Sequence, residues 1–220
     1  RWPLMLHLDL TLSGNDPLSE ERIAETQAWV DLSGAPWTSA HIGFGVPDVT
    51  LDEVLVTQPR SQPLPREAAL DNISRNARLL AERLSLPLLL ENLPHFPNAA
   101  HMTVCDPAFV TAVLTRTGCD LLLDLGHARV SADVLGLEVH EYLMQLPLER
   151  VVEMHLSGPR RLEELDAGWQ DRIMANAATI AHLQPFGVTN LVDAHEPLRA
   201  EDYALLEWTL TRCRPRAITL

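Results

Sequence analysis

Short apolar runs alternate with longer amphipathic stretches along almost the whole chain. The apolar runs are residues 4–10, 37–44, 87–92, 120–127, 150–158, 189–196 and 217–220. The amphipathic stretches lie near 19–31, 66–85, 107–117, 133–145, 169–183 and 200–213. Several open with helix-start chemistry: Ser19-Glu20-Glu21, Asp106-Pro107 and Ala200-Glu201-Asp202. Strands alternating with helices predict βαβ units and a parallel sheet. Leu88-Leu89-Leu90 and Leu121-Leu122-Leu123 are apolar without interruption, as strands covered on both faces should be.

Seven strands and six helices over residues 1–220 predict a single α/β domain of the TIM (β/α)8 type. A closed eight-stranded barrel needs one more βα unit, expected before Arg1, because the chain opens directly into a strand. An open doubly wound sheet is the competing architecture. No Gly-x-Gly-x-x-Gly follows the first strand, so dinucleotide binding has no support. Residues 45–65, 93–106 and 159–168 read as the loops that shape a site.

Composition narrows the function classes. Among 220 residues, 30 are Asp or Glu and 17 are Lys or Arg, a formal charge of −13. That acidity, with no dense basic patch, argues against nucleic acid as a partner. No apolar run approaches the roughly 20 residues that cross a bilayer. No signal peptide is visible, so a cytoplasmic location is expected. Cys105, Cys119 and Cys213 are an odd, unpaired set and read as reduced, buried thiols.

The chemistry lies at the strand ends. The successive runs carry His7 and Asp9; His41; Glu91 and Asn92; Asp124 and His127; His155; and Asp193, His195 and Glu196. In a βα barrel those ends open into one mouth. Asp193 and His195 are two apart and share a strand face. So many buried ionisable groups are costly without compensation, and metal cations supply it. Imidazole and carboxylate donors without suitably spaced thiolates suit iron, manganese or zinc. The predicted ligands are therefore His7, His41, Glu91, Asp124, His127, His155, Asp193 and His195. Asn92 and Glu196 are assigned to support of the ligands or to substrate contact. Glu153 lies deeper in its strand and reads as a structural or supporting group. His95, His101, His140 and His182 lie in loops or helices and are treated as ordinary.

The succession His7, Ser39-Ala40-His41, Leu90-Glu91-Asn92, the segment Leu121 to His127, Glu153-Met154-His155-Leu156-Ser157-Gly158 and Asp193-Ala194-His195 resembles the multinuclear non-heme iron-dependent oxidases, typified by the methanobactin-biosynthesis oxidase. The resemblance covers nearly the whole chain in order. It implies a xylose-isomerase-like TIM barrel and two or three irons. It also implies oxygen-dependent remodelling of peptide residues, often cysteine, with a small partner protein delivering the peptide. It makes His7 and His41 the first histidine ligands, Glu91 a bridging or metal-binding glutamate, and Asp193 with His195 the final ligand pair. His127 stands where that family commonly has Asn, and Glu196 where it usually has Gly. Both departures resemble the endonuclease-four-type enzymes, with Asp-x-x-His and Asp-x-His-Glu motifs and three zincs.

Three functions follow. The first is an iron oxidase of a peptide or small thiol. The second is a divalent-metal hydrolase or isomerase, and the third is a non-catalytic metal-binding barrel.

Overall fold

The computed structural model describes residues 4–51, 57–180 and 191–220. In chain order the elements are β1 (Leu6–Leu8), α1 (Glu20–Ser33), β2 (Thr38–His41), β3 (Val49–Leu51), β4 (Thr57–Pro59), α2 (Arg66–Arg83), β5 (Leu88–Glu91), α3 (Pro107–Thr117), β6 (Asp120–Asp124), α4 (Leu125–Leu135), α5 (Val139–Leu143), β7 (Val151–His155), β8 (Gly158–Arg161), α6 (Ala167–Ile180), β9 (Leu191–Glu196), α7 (Ala200–Leu210) and β10 (Ala217–Thr219). Among the described residues, β1-β2-β5-β6-β7-β10 form one sheet, parallel throughout and curled into a half-barrel.

The leucine runs explain how this sheet carries both a core and a site. Leu88, Leu90, Leu121 and Leu123 belong to the large core between sheet and helices, together with Ile73, Leu80, Phe109 and Leu114. Leu89 and Leu122 point the other way and pack with Trp37 in a smaller cluster. Each fully buried Leu contributes about 1.5–3 kcal/mol. Because side chains alternate along a strand, Glu91 follows Leu89 and Asp124 follows Leu122 on that second face. The apolar floor thus ends in carboxylates at the C-terminal strand edge.

The helices start and stop where local chemistry directs. The Ser19 hydroxyl accepts from the Arg22 N–H at the start of α1, and the Asp106 carboxylate accepts from the Ala108 N–H ahead of Pro107 in α3. Gly118 ends α3 at φ 76°, in the left-handed region that glycine adopts without strain. No described helix is long and apolar enough to cross a membrane.

Three expectations require correction. The stretch expected as one helix near 133–145 is two helices, and α4 begins at Leu125, straight after β6. Asp124 makes this possible: its side chain caps the new helix by accepting the His127 N–H at 2.8 Å. The proline-rich 45–65 region contains the antiparallel pair β3–β4, although residues 52–56 lie outside the described set. Most consequentially, β9 does not join the parallel sheet. It pairs antiparallel with β8, and β10 takes the place beside β7. Of the seven strands expected in this chain, six therefore form the parallel half-barrel of the TIM type, and β9 stands in a separate ribbon with β8.

Candidate metal centre

Strands β1, β2, β5, β6 and β7 deliver their donors at or beside the ends predicted from sequence, and the register explains why they meet. His7 lies opposite Ser39, His41 opposite Glu91, and Asp124 opposite His155. Glu91 sits at the middle. Its Oε2 lies 3.4 Å from His7 Nδ1 and 3.6 Å from His41 Nε2. Its Oε1 lies 3.4 Å from His155 Nδ1 and 3.6 Å from His127 Nδ1. The ribbon brings the rest: Asp193 Oδ2 is 3.4 Å from His127 Nε2 and 3.0 Å from His195 Nε2. All eight predicted ligands thus converge. Three donor groups emerge among the described residues: His7–His41–Glu91, Glu91–Asp124–His127 and His127–Asp193–His195, the donor atoms of each within 4.8 Å of one another; His155 joins none of the three and meets the centre through Glu91.

The donor set fits metal ions. Glu91 and Asp124 are only 2% exposed, and an unpaired buried carboxylate is strongly unfavourable. Two donor atoms bound about 2.1 Å from a shared ion lie roughly 3–3.4 Å apart, close to the separations seen here.

The metal-free groups also bias one another's protons. Burial would raise Glu91, but the His155 hydrogen bond and the neighbouring imidazoles hold it at about 2. Burial raises Asp124 to about 6 against the pull of His127. Burial opposes protonation of His155, yet hydrogen bonds to Glu153 and Glu91 carry it to about 9. Burial drives His41 down to about 3. Desolvation works against His127 too, but Asp124 and Asp193 raise it well above its ordinary value. Protons on His127 and His155 thus occupy the electrostatic role a cation would take.

Supporting residues fix the ligands. His127 Nδ1 donates to the Asn92 carbonyl at 2.7 Å, which leaves Nε2 free toward Asp193 and Asp124. Asn92 is fully buried, does not line the cavity, and is hydrogen-bonded to the backbone of Asp124 and to the His127 ring. Glu196 is exposed and lines the cavity but joins none of the three donor groups among the described residues. Ser157 Oγ donates to Asp193 Oδ1 at 3.2 Å. Asp9, two past His7, joins none of the three donor groups.

The centre forms one wall of a cavity of about 790 Å3. Phe44, Leu93, Phe96, Trp169 and Ile173 give the cavity an apolar side, so it suits a ligand with a sizeable apolar part. His95 and His101, treated as ordinary from sequence, also line it. Both are buried, and burial lowers them to about 3 and about 4. His101 Nδ1 donates to the Pro94 carbonyl at 2.7 Å, which ties down the 93–106 loop. Loop histidines spaced six apart gave no periodic signal that could have found them. His140 packs at a tilt against Trp208 and does not line the cavity, and His182 lies outside the described residues. The three cysteines are free and buried, and burial pushes the Cys105 thiol to about 12, as an inert thiol requires.

Comparison with known proteins places this arrangement. A UPF0276 protein of Caulobacter vibrioides (strain NA1000 / CB15N) is 26% identical over 221 residues, covering 97% of this chain and 76% of the relative. A UPF0276 protein of Rhizobium meliloti (strain 1021) is 31% identical over 158 residues, or 71% and 50% of the two chains. Endonuclease IV from Thermus thermophilus superposes with a TM-score of 0.54 at 19% identity, covering 99% of this chain and 69% of that one. The probable 3-DHS dehydratase AsbF from Bacillus anthracis gives 0.50 at 16% identity, covering 98% and 68%. These neighbours mark the fold as a xylose-isomerase-like TIM barrel. A family model described as "RiPP precursor modification enzyme MbnB/TglH/ChrH" matches residues 1–220.

Proposed function

Since the chain belongs to the MbnB/TglH/ChrH family of RiPP precursor modification enzymes, we propose that it is an oxygen-dependent oxidase that modifies a ribosomally made peptide at a centre of two or three irons. The observation that supports this most is the convergence of His7, His41, Glu91, Asp124, His127, His155, Asp193 and His195 on one wall of a cavity of about 790 Å3. Iron bound there supplies the redox chemistry and the open positions for oxygen and substrate. The chain's own residues do the rest. Glu91 faces donors on both sides with its two oxygens and holds the groups in a common frame. Phe44, Phe96 and Trp169 give an apolar bed for a substrate side chain and exclude water from one flank. A cysteine-bearing peptide, delivered by a small partner protein, is the substrate class we assign, and a small thiol is the simpler version.

A second reading, a divalent-metal hydrolase or isomerase using zinc or manganese, draws on His127. Its Nε2 sits 3.4 Å from Asp193, so the third donor group is built from two imidazoles and a carboxylate, a set zinc accepts readily.

Metal analysis of protein purified under anaerobic conditions separates the two. Two to three irons per chain, with oxygen consumed in the presence of a cysteine-bearing precursor peptide, is the expected result. Stoichiometric zinc with phosphodiesterase or isomerase activity overturns the oxidase reading.

A further inference from the structure

We propose that Glu153 is a positioning residue that turns His155 to meet a metal ion through Nδ1, while His127 in the same centre meets one through Nε2. The inference rests on the metal-centre reading above and goes beyond it, because it assigns a ligand atom and the residue that selects it.

Glu153 lies behind the site. It is 1% exposed and does not line the cavity, so it is no ligand itself. Three donors converge on its carboxylate. Trp37 Nε1 donates to Oε2 at 2.7 Å, and Thr219 Oγ1 donates to Oε1 at 3.0 Å. His155 Nε2 lies 3.2 Å from the same Oε1. A carboxylate so placed accepts and cannot donate, so the His155 proton sits on Nε2. Without metal the ring also carries a proton on Nδ1, toward Glu91 Oε1 at 3.4 Å; a cation entering the centre would displace that inner proton, and the neutral ring would keep Nε2–H toward Glu153 and its lone pair on Nδ1. His127 is locked the other way round, its Nδ1 proton given to the Asn92 carbonyl at 2.7 Å. The partner of the outer nitrogen sets which nitrogen a metal takes. Trp37 and Thr219 come from β2's entry and from β10, so the carboxylate is tied to two elements other than its own strand.

The test uses full-length protein, stripped by chelator, labelled with 15N-histidine and reloaded with zinc alone. Long-range 1H–15N spectra report which ring nitrogen is protonated and which is metallated, with assignments from single His→Gln variants. The expected pattern is Nδ1-bound, Nε2-protonated His155 and Nε2-bound, Nδ1-protonated His127. Glu153→Gln leaves one acceptor oxygen for three donors, and zinc affinity is expected to fall about 10–100-fold. The tautomer measurement on the parent protein decides the matter even if that variant does not fold. Zinc held through His155 Nε2, or unchanged zinc affinity in a folded Glu153→Gln protein, overturns the inference and leaves the centre standing. A parent protein that binds no zinc overturns the centre and the inference together.

Discussion

Asn92 and Asp124 hold one another through two complementary hydrogen bonds: the Asn92 side-chain amide donates to the Asp124 carbonyl at 3.0 Å, and the Asp124 N–H donates to Asn92 Oδ1 at 2.9 Å. A side chain at the end of β5 thereby imitates the next rung of the ladder to β6, at the point where β6 must turn into α4. The splint fixes the carboxylate that caps the helix, and the Asn92 carbonyl fixes the ring of His127.

Replacing Asn92 with Leu therefore leaves a buried N–H and a buried C=O without partners. Each unsatisfied group costs about 1–3 kcal/mol. The expected loss is about 2–4 kcal/mol by chemical denaturation, with weaker metal binding at the Asp124 and His127 positions. An Asn92→Leu protein as stable as the parent would contradict this.

Glu91 is shared by two donor groups, whereas Asp193 serves only one. Glu91→Ala is expected to empty the centre, a larger effect than the roughly 10–100-fold that changes outside the ligand shell produce. Asp193→Ala should keep the ion at His7–His41–Glu91. Metal content per folded chain, measured on both variants side by side, distinguishes the two. Equal loss in both would show that the donor groups are not separable.

Gly158 marks the close approach of β8 to β9. A Cβ there would lie 2.1 Å from the Glu196 carbonyl oxygen and 2.9 Å from that of Pro197, both backbone atoms that cannot step aside. Gly158→Ala is expected to push β9 away and destabilise the fold by about 1–3 kcal/mol. The ion held by His127, Asp193 and His195 should be released first. Retention of full metal content would argue against a ribbon-borne half of the centre.

The metal-free protein should be sensitive to alkali. His155 is raised from 6.5 to about 9 in the folded state, so its contribution is fully present below pH 6.5 and is lost as pH rises to 9. The upper bound on that loss is about 3 kcal/mol. Asp193 is shifted down, so its contribution is present above pH 3.8 and lost in acid. His41, His95 and His101 are shifted down by burial, so they take stability away as pH falls below 6.5, and thermal melting of metal-free protein should therefore be highest near pH 6.5. In metal-loaded protein the bound imidazoles no longer titrate, so the alkaline decline should vanish and metal affinity should rise with pH. A flat melting profile from pH 6 to 9 without metal would refute the assignment.

The clustering of candidate ligands on the parallel strands is legible because two simple periods coincide there. An apolar run buried on both faces, ending in a chargeable residue, defines the strand edge at His41, Glu91, Asp124 and His155 without reference to distant residues. The β8–β9 ribbon was not legible. Gly158-Pro159-Arg160-Arg161 has no alternation, and its pairing depends on Gly158 meeting Glu196 across α6, a contact with no local signature. The early start of α4 was hidden in the same way, because Asp124 serves both as strand end and as helix cap. Asn92 and Glu153 were placed near the site from sequence, but their partners Asp124, Trp37 and Thr219 are 32 to 116 residues away and only the fold supplies them.

The ribbon gives the centre two halves of unequal stiffness. His7, His41, Glu91, Asp124 and His155 are riveted into a six-stranded sheet, whereas Asp193 and His195 ride on β9, which among the described residues pairs with β8 alone. An ion seated between His127 and Asp193 would work as a clasp joining the stiff half to the pliant one. Such an ion would be expected to load last and leave first, and its departure would loosen the cavity wall at the flank formed by Val192, Ala194 and Glu196.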